Sequence, residues 1–158
     1  MSMMPIARES FSVIGRQGQG PSRFGQTWIR PLWRDLHGEF DAIAHLVKRG
    51  PDGGIAGTWG LMSGASVYLA PWGEEGRYLA GCETNPGVSP PRGWALWHVP
   101  AQTYFVAACR RGQYQQTYER VVGELLAGGR YNLSGAAHER YPADRPDEIE
   151  LYIPVIAN

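Results

Sequence analysis

The segment His138-Glu139-Arg140-Tyr141 places an imidazole, a carboxylate, a guanidinium and a phenol in four consecutive positions. In an extended strand side chains alternate, so Glu139 and Tyr141 face one side and His138 and Arg140 the other. The last strand-like run repeats the theme, with Glu148, Glu150 and Tyr152 alternating against Ile149, Leu151 and Ile153. The apolar set would pack on helices, which leaves the acidic and tyrosine-bearing face to look elsewhere. That face is either solvated or the floor of a cavity with carboxylates and phenols among aromatic rings. In a cavity the carboxylate needs a partner, because an unpaired buried charge is expensive. A cationic ligand would supply one, and the ring faces would add cation–π attraction. A lone glutamate in such a pocket could also serve as general acid or base once desolvation raises its pKa.

Six Trp and eight Tyr supply rings that are apolar and still hydrogen-bond. Tyr104 alternates with Phe105, so one of them points into a cavity and the other into the core. Trp59 stands in Gly57-Thr58-Trp59-Gly60, where the glycines leave open surface beside the ring, and Trp94 and Trp97 flank the start of the second half. Trp33 belongs to the helix pattern and is left out of the cavity set. The candidate ligand-binding set is therefore Glu139, Tyr104, Tyr152, Trp59, Trp97, Tyr141 and Glu150. No nucleophile elbow, phosphate-binding loop, His-Glu-x-x-His or Cys-x-x-Cys motif occurs. No catalytic set is assigned, with Glu139 the one candidate if the protein is an enzyme, and no metal or cofactor is expected. His37 and His45 read as exposed on the first helix, and His98 and His138 lie on strands.

The elements that must position these residues fall into two similar series. Phe11 to Gly15 reads as a strand, broken into a loop by Gly18, Gly20, Pro21 and Gly25. Pro31 suits the first position of a helix, and Leu32, Leu36, Phe40, Ile43 and Val47 then recur at helical steps until Gly50-Pro51. Strand-like runs follow at Ile55 to Met62 and Tyr78 to Glu83. After the breaker cluster from Asn85 to Pro91 the order returns. Ala95 to Cys109 is extended with Pro100 marking a bend or an edge, and Tyr114, Tyr118, Val121 and Leu125 form a second helical stripe closed by Gly128-Gly129. Strands at Ala136 to Tyr141 and Glu148 to Val155 complete it. The expectation is an α+β domain over residues 1–158, built from duplicated β-α-β-β units at about 9–84 and 94–156. Pseudo-twofold symmetry, antiparallel sheets with helices on one side and a concave groove belong to that expectation.

Composition removes several function classes. Lys+Arg and Asp+Glu are equal at 15 each, so the chain lacks the basic excess by which proteins neutralise phosphates, and direct nucleic-acid binding is not expected. No run approaches the ~18 apolar residues of a membrane span. The two cysteines, Cys82 and Cys109, lie in apolar runs and read as buried small hydrophobes, which fits a reducing cytoplasm.

The segment Val99-Pro100-Ala101-Gln102-Thr103-Tyr104-Phe105-Val106, the His138 to Tyr141 segment, and Glu150-Leu151-Tyr152-Ile153-Pro154-Val155 together resemble the GyrI-like effector-binding family. That family also supplies the ligand-binding domain of AraC- and MerR-type multidrug regulators. The resemblance implies a groove for hydrophobic, often cationic, compounds, with Glu139 matching the family's buried acidic contact and Tyr104 and Tyr152 its pocket aromatics. Some relatives inhibit DNA gyrase, and others hydrolyse cyclopropane-bearing toxins with the equivalent glutamate. With the first strand starting near residue 9, no helix-turn-helix is expected here. The resulting expectation is a stand-alone small-molecule binder for drug or effector sensing or sequestration. A toxin hydrolase and a protein-interaction module such as a gyrase modulator stay open as alternatives, as do a partner protein and a homodimer.

Overall fold

The computed structural model describes residues 4–158. Its strands are β1 (Ile6–Arg8), β2 (Phe11–Pro21), β3 (Thr58–Gly64), β4 (Glu75–Glu83), β5 (Ala95–Val99), β6 (Gln102–Arg110), β7 (Tyr131–Leu133), β8 (His138–Tyr141) and β9 (Glu148–Ala157). The helices are α1 (Gly25–Gly38) and α2 (Tyr114–Gly128). All strands belong to one antiparallel sheet in the order β1-β6-β9-β8-β3-β4-β2-β5, with β7 on β9. The α+β class and the doubling are as the sequence implies. The units β2-α1-β3-β4 and β6-α2-β8-β9 contribute the strand triplets β3-β4-β2 and β8-β9-β6, joined where β3 pairs with β8. A pseudo-twofold axis passes through that pair, so the two expected sheets run together as one.

The outer strands are exchanged between the halves. Residues 95–109 do not form one strand of the second half. They divide at Pro100, and β5 pairs with β2 while β6 pairs with β9 and β1. The pairs Ile6↔Tyr104 to Arg8↔Gln102 and Phe11↔Val99 to Gly15↔Ala95 keep one register. Each end of the sheet is thus formed by the same two stretches of chain, which curls the sheet into a half-barrel. Val13, Trp59, Leu61, Leu79, Trp97 and Val99 fill its inner face. Both helices lie on the other face, α1 against β2 and β4, α2 against β6, β7 and β9.

Helix α1 differs from the expected one at both ends. Pro31 lies inside the helix, because the 3-10 turn Ser22–Phe24 leads straight into it and Trp28 and Ile29 already carry the apolar stripe. The helix stops at Gly38, where the Glu39 N–H bonds back to the Asp35 carbonyl. Ile43 and Val47 stay in the core without a helix, on a 3-10 turn and a bridge to Thr84. Gly18 and Gly20 do not break β2, which continues to Pro21. At Gly20 a Cβ would lie 2.6 Å from the Trp28 ring, so glycine is what lets that indole lie flat on the strand.

Candidate functional site

Gly60 of β3 is the register partner of Glu139 of β8, next to the centre of the sheet. Glycine opposite the carboxylate makes room for its hydrogen-bond partner. A Cβ at Gly60 would fall 1.9 Å from the Tyr78 hydroxyl and 2.7 Å from Glu139 Oε1. Through that gap the Tyr78 hydroxyl donates to Glu139 Oε1 at 2.6 Å, and the Tyr141 hydroxyl donates to the same oxygen at 3.1 Å. Trp33 Nε1 in turn donates to the Tyr78 hydroxyl at 3.2 Å, and its ring meets Tyr141 edge-on at 4.9 Å. Among the described residues no hydrogen bond reaches Glu139 Oε2, and no ion pair includes Glu139.

Glu139 is 7% exposed, and it lines the hollow between the two helices. Two adjoining chambers of about 310 and 470 Å³ share Met62, Trp72, Tyr114 and Glu139. Such volumes are in the range of small-molecule sites. Tyr118, Leu151 and Ala136 extend the first chamber, and Trp33, Tyr78 and Tyr141 the second. Burial raises the Glu139 pKa, while the Tyr78 and Tyr141 hydroxyls and the Arg111 guanidinium pull it back. Burial, and after it the Glu139 charge, push the Tyr78 and Tyr141 pKa values up, so both phenols stay protonated as donors.

The candidate residues divide between the two faces of the sheet. Glu139 pairs with Leu151, and so it shares the helix-facing side of β9. Tyr141 joins it there. Glu150 and Tyr152 alternate with Leu151 and point to the opposite side, which corrects the idea of one common acidic floor. Glu150 is bound by Arg140 at 2.8 Å and Arg145 at 3.0 Å. Tyr152 meets Trp59 at 4.9 Å and Tyr104 at 5.4 Å. Trp97 lies in the same inner-face core, and its Nε1 donates to Gln17 Oε1 at 2.9 Å. The inner-face rings carry their own cation. Arg8 lies 4.3 Å over Phe11 and 5.2 Å over Trp59 and pairs with the buried Glu83, which also accepts from Trp59 Nε1. The structure therefore does not bring Trp59, Trp97, Tyr104, Tyr152 or Glu150 into the Glu139 hollow.

Four residues that do line it, Trp33, Tyr78, Tyr114 and Tyr118, read in the sequence as helix stripe or ordinary strand. One signal for them is present. Tyr114 and Tyr118 recur at i, i+4 with hydroxyls, where a closed helix–sheet core would take Leu or Phe. The groups that could meet a ligand are thus one carboxylate, four phenols, two indoles and, at the second chamber, the guanidiniums of Arg23 and Arg30. The carboxylate and the rings can hold a positive or hydrogen-bond-donating centre among apolar surfaces.

Comparison with known proteins gives the family and the fold of the chain. The family described as "Cass2: Integron-associated effector binding protein" matches residues 6–155. The chain belongs to that family. Its fold is that of the GyrI-like effector-binding domains. The structure of SAV2435 bound to tetraphenylphosphonium superposes with a TM-score of 0.72 at 18% identity, covering 99% of this chain and 94% of that one. An integron cassette protein from the mobile metagenome of Vibrio cholerae gives 0.62 at 16% identity, covering 98% and 95%. The transcriptional regulator BrlR of Pseudomonas aeruginosa is 27% identical over 164 residues, covering 95% of this chain. This effector-binding domain spans about half the length of that regulator, 54%. No helix of the described residues is long and apolar enough to cross a membrane.

Proposed function

We propose that this effector-binding domain takes hydrophobic cations into the hollow between α1 and α2, with Glu139 as the counter-charge, in drug or effector sensing or sequestration. The observation that carries the reading is the Glu139 carboxylate. It is buried, it is held in place by two neutral phenols, and no ion pair among the described residues includes it. A buried carboxylate without a cation is costly, and a bound cation removes that cost. The walls suit the same ligand, since Trp33, Trp72 and Tyr114 line the hollow and aromatic rings attract cations. The tetraphenylphosphonium named for SAV2435 is a ligand of this chemistry, which makes it the probe of choice.

Titration of tetraphenylphosphonium against tryptophan fluorescence tests the reading, with neutral triphenylphosphine oxide as the uncharged comparison. Glu139→Gln keeps an acceptor for both phenols and removes the charge. It is expected to weaken the phosphonium by at least about tenfold, or about 1.4 kcal/mol. The neutral compound should be little affected. Equal affinity of wild type for the two compounds would overturn the assignment of Glu139 as counter-charge.

A further inference from the structure

Arg23 and Arg30 already line the second chamber of the hollow beside Glu139, and beyond Tyr141 the hollow continues into two clefts whose charged residues are all arginine or histidine. One is lined by Arg30, Trp33, His37, Thr58, Arg111 and Tyr141, with a volume of about 290 Å³. The other, about 280 Å³, shares Thr58, Arg111 and Tyr141 and adds Arg140. Neither lining includes an acidic residue. Arg140 is already neutralised by Glu150, whereas no ion pair or side-chain hydrogen bond among the described residues engages Arg30 or Arg111. Arg111 lies 5.1 Å from the centre of the Tyr141 ring, the same ring whose hydroxyl donates to Glu139. A carboxylate and a guanidinium therefore stand at two sides of one tyrosine, the first opening on the hollow and the second on the adjoining cleft. Arg30 approaches from α1 and Arg111 from the 3-10 turn before α2, so both repeat units contribute positive charge.

We propose that the effector carries an acidic group as well as its positive centre, the acid lying in the cleft between Arg30 and Arg111 while the positive centre meets Glu139. The proposal rests on the reading of Glu139 as a counter-charge and extends it from cations to zwitterions of aromatic scaffold. Arginine suits the task because its planar fork meets a carboxylate with two parallel hydrogen bonds. The arrangement also discriminates, since a ligand with positive charge at both ends meets like charge in the cleft.

Rhodamine 110 and rhodamine 123 test this, because they share one cationic xanthene and differ in a free carboxylate against its methyl ester. Fluorescence anisotropy gives the affinity of each for the wild-type protein, for Arg30→Gln/Arg111→Gln and for Glu139→Gln. Both arginines are exposed, so the double variant should fold normally. Wild type is expected to bind the carboxylate dye about tenfold more tightly than the ester, a preference typical of one charge-assisted pair. The double variant should lose that preference while its affinity for the ester stays or improves. Raising the salt concentration should narrow the gap in wild type. Equal binding of the two dyes by wild type, or a preference that persists in the double variant, would overturn the proposal. Should the dyes bind equally and still depend on Glu139, the counter-charge reading stands and only the acid subsite falls. Should neither depend on Glu139, the counter-charge reading itself falls.

Discussion

At the scale of single residues, the cost and the use of Glu139 are two sides of one desolvation effect. The folded protein holds the proton of this carboxyl to higher pH than the unfolded chain does, because burial disfavours the charged form. Between those two pKa values the folded state binds more protons, so its stability falls as pH rises through the interval above about 4.3. Glu139→Gln removes this loss. Thermal melts are expected to show the variant more stable than wild type at about pH 8, with the gap closing as pH approaches 4. A gap that is constant across that range would show that the ionised carboxylate is not the source of the difference. The sign is opposite for binding, since only the carboxylate attracts a cation and phosphonium affinity should rise over the same interval. On the proposed function, binding would retain a group that stability alone would remove, a trade common at functional sites.

At the scale of elements, His138 ties β3 to β8 where their backbone ladder ends. The Met62 N–H donates to His138 Nδ1 at 3.2 Å, just beyond the Gly60↔Glu139 pair. Burial lowers the His138 pKa to about 4. The unfolded chain takes up this proton below about 6.5 and the folded one does so only near 4, so the neutral imidazole stabilises above that window. Its contribution is lost as pH falls from 6.5 to 4, by at most about 3 kcal/mol. His138→Ala is expected to lose about 1–3 kcal/mol at neutral pH through the orphaned amide. In urea unfolding it should also show a shallower stability loss than wild type between pH 6.5 and 4. Parallel slopes for both proteins would remove the histidine from this role. Much of this level is legible in the sequence, namely α2, the last strand and the alternation of Glu139 against His138, because local period alone sets them. Register is not legible in the same way. Whether Glu139 lies with Leu151 or with Glu150 depends on pairing between strands, and a slip of one residue would reverse it. Trp33 escapes for a related reason, since a helical stripe records which face is inward and not whether that face meets sheet or hollow. The start of α1 escapes because Pro31 matches an N-terminal signal that the preceding 3-10 turn makes unnecessary.

At the scale of the whole molecule, the exchange of end strands couples the two halves, and Arg8 stands at that joint. β1 precedes the first unit in sequence and yet pairs with β6 of the second, while β5 precedes the second and pairs with β2 of the first. Arg8 crosses from this joint to Glu83 at the end of β4, with its side chain 28% exposed and that of Glu83 7%. The pair is therefore anchored on a buried carboxylate inside a ring of Phe11 and Trp59. Removing one member of a fully buried pair costs about 3–5 kcal/mol, and the exposure of Arg8 places this pair nearer 2–3 kcal/mol. Arg8→Gln should lower stability by that amount, and Arg8→Gln/Glu83→Gln should recover part of it, since the second change removes the stranded charge. Because Arg8 lies on the face away from Glu139, phosphonium affinity of the folded variants is expected to stay within about twofold of wild type. Chemical denaturation beside ligand titration separates the two effects. A large loss of phosphonium affinity in Arg8→Gln, at temperatures where the protein is folded, would mean that the two faces of the half-barrel are coupled through β3 and β8 and that the Glu139 hollow cannot be treated as a site of its own.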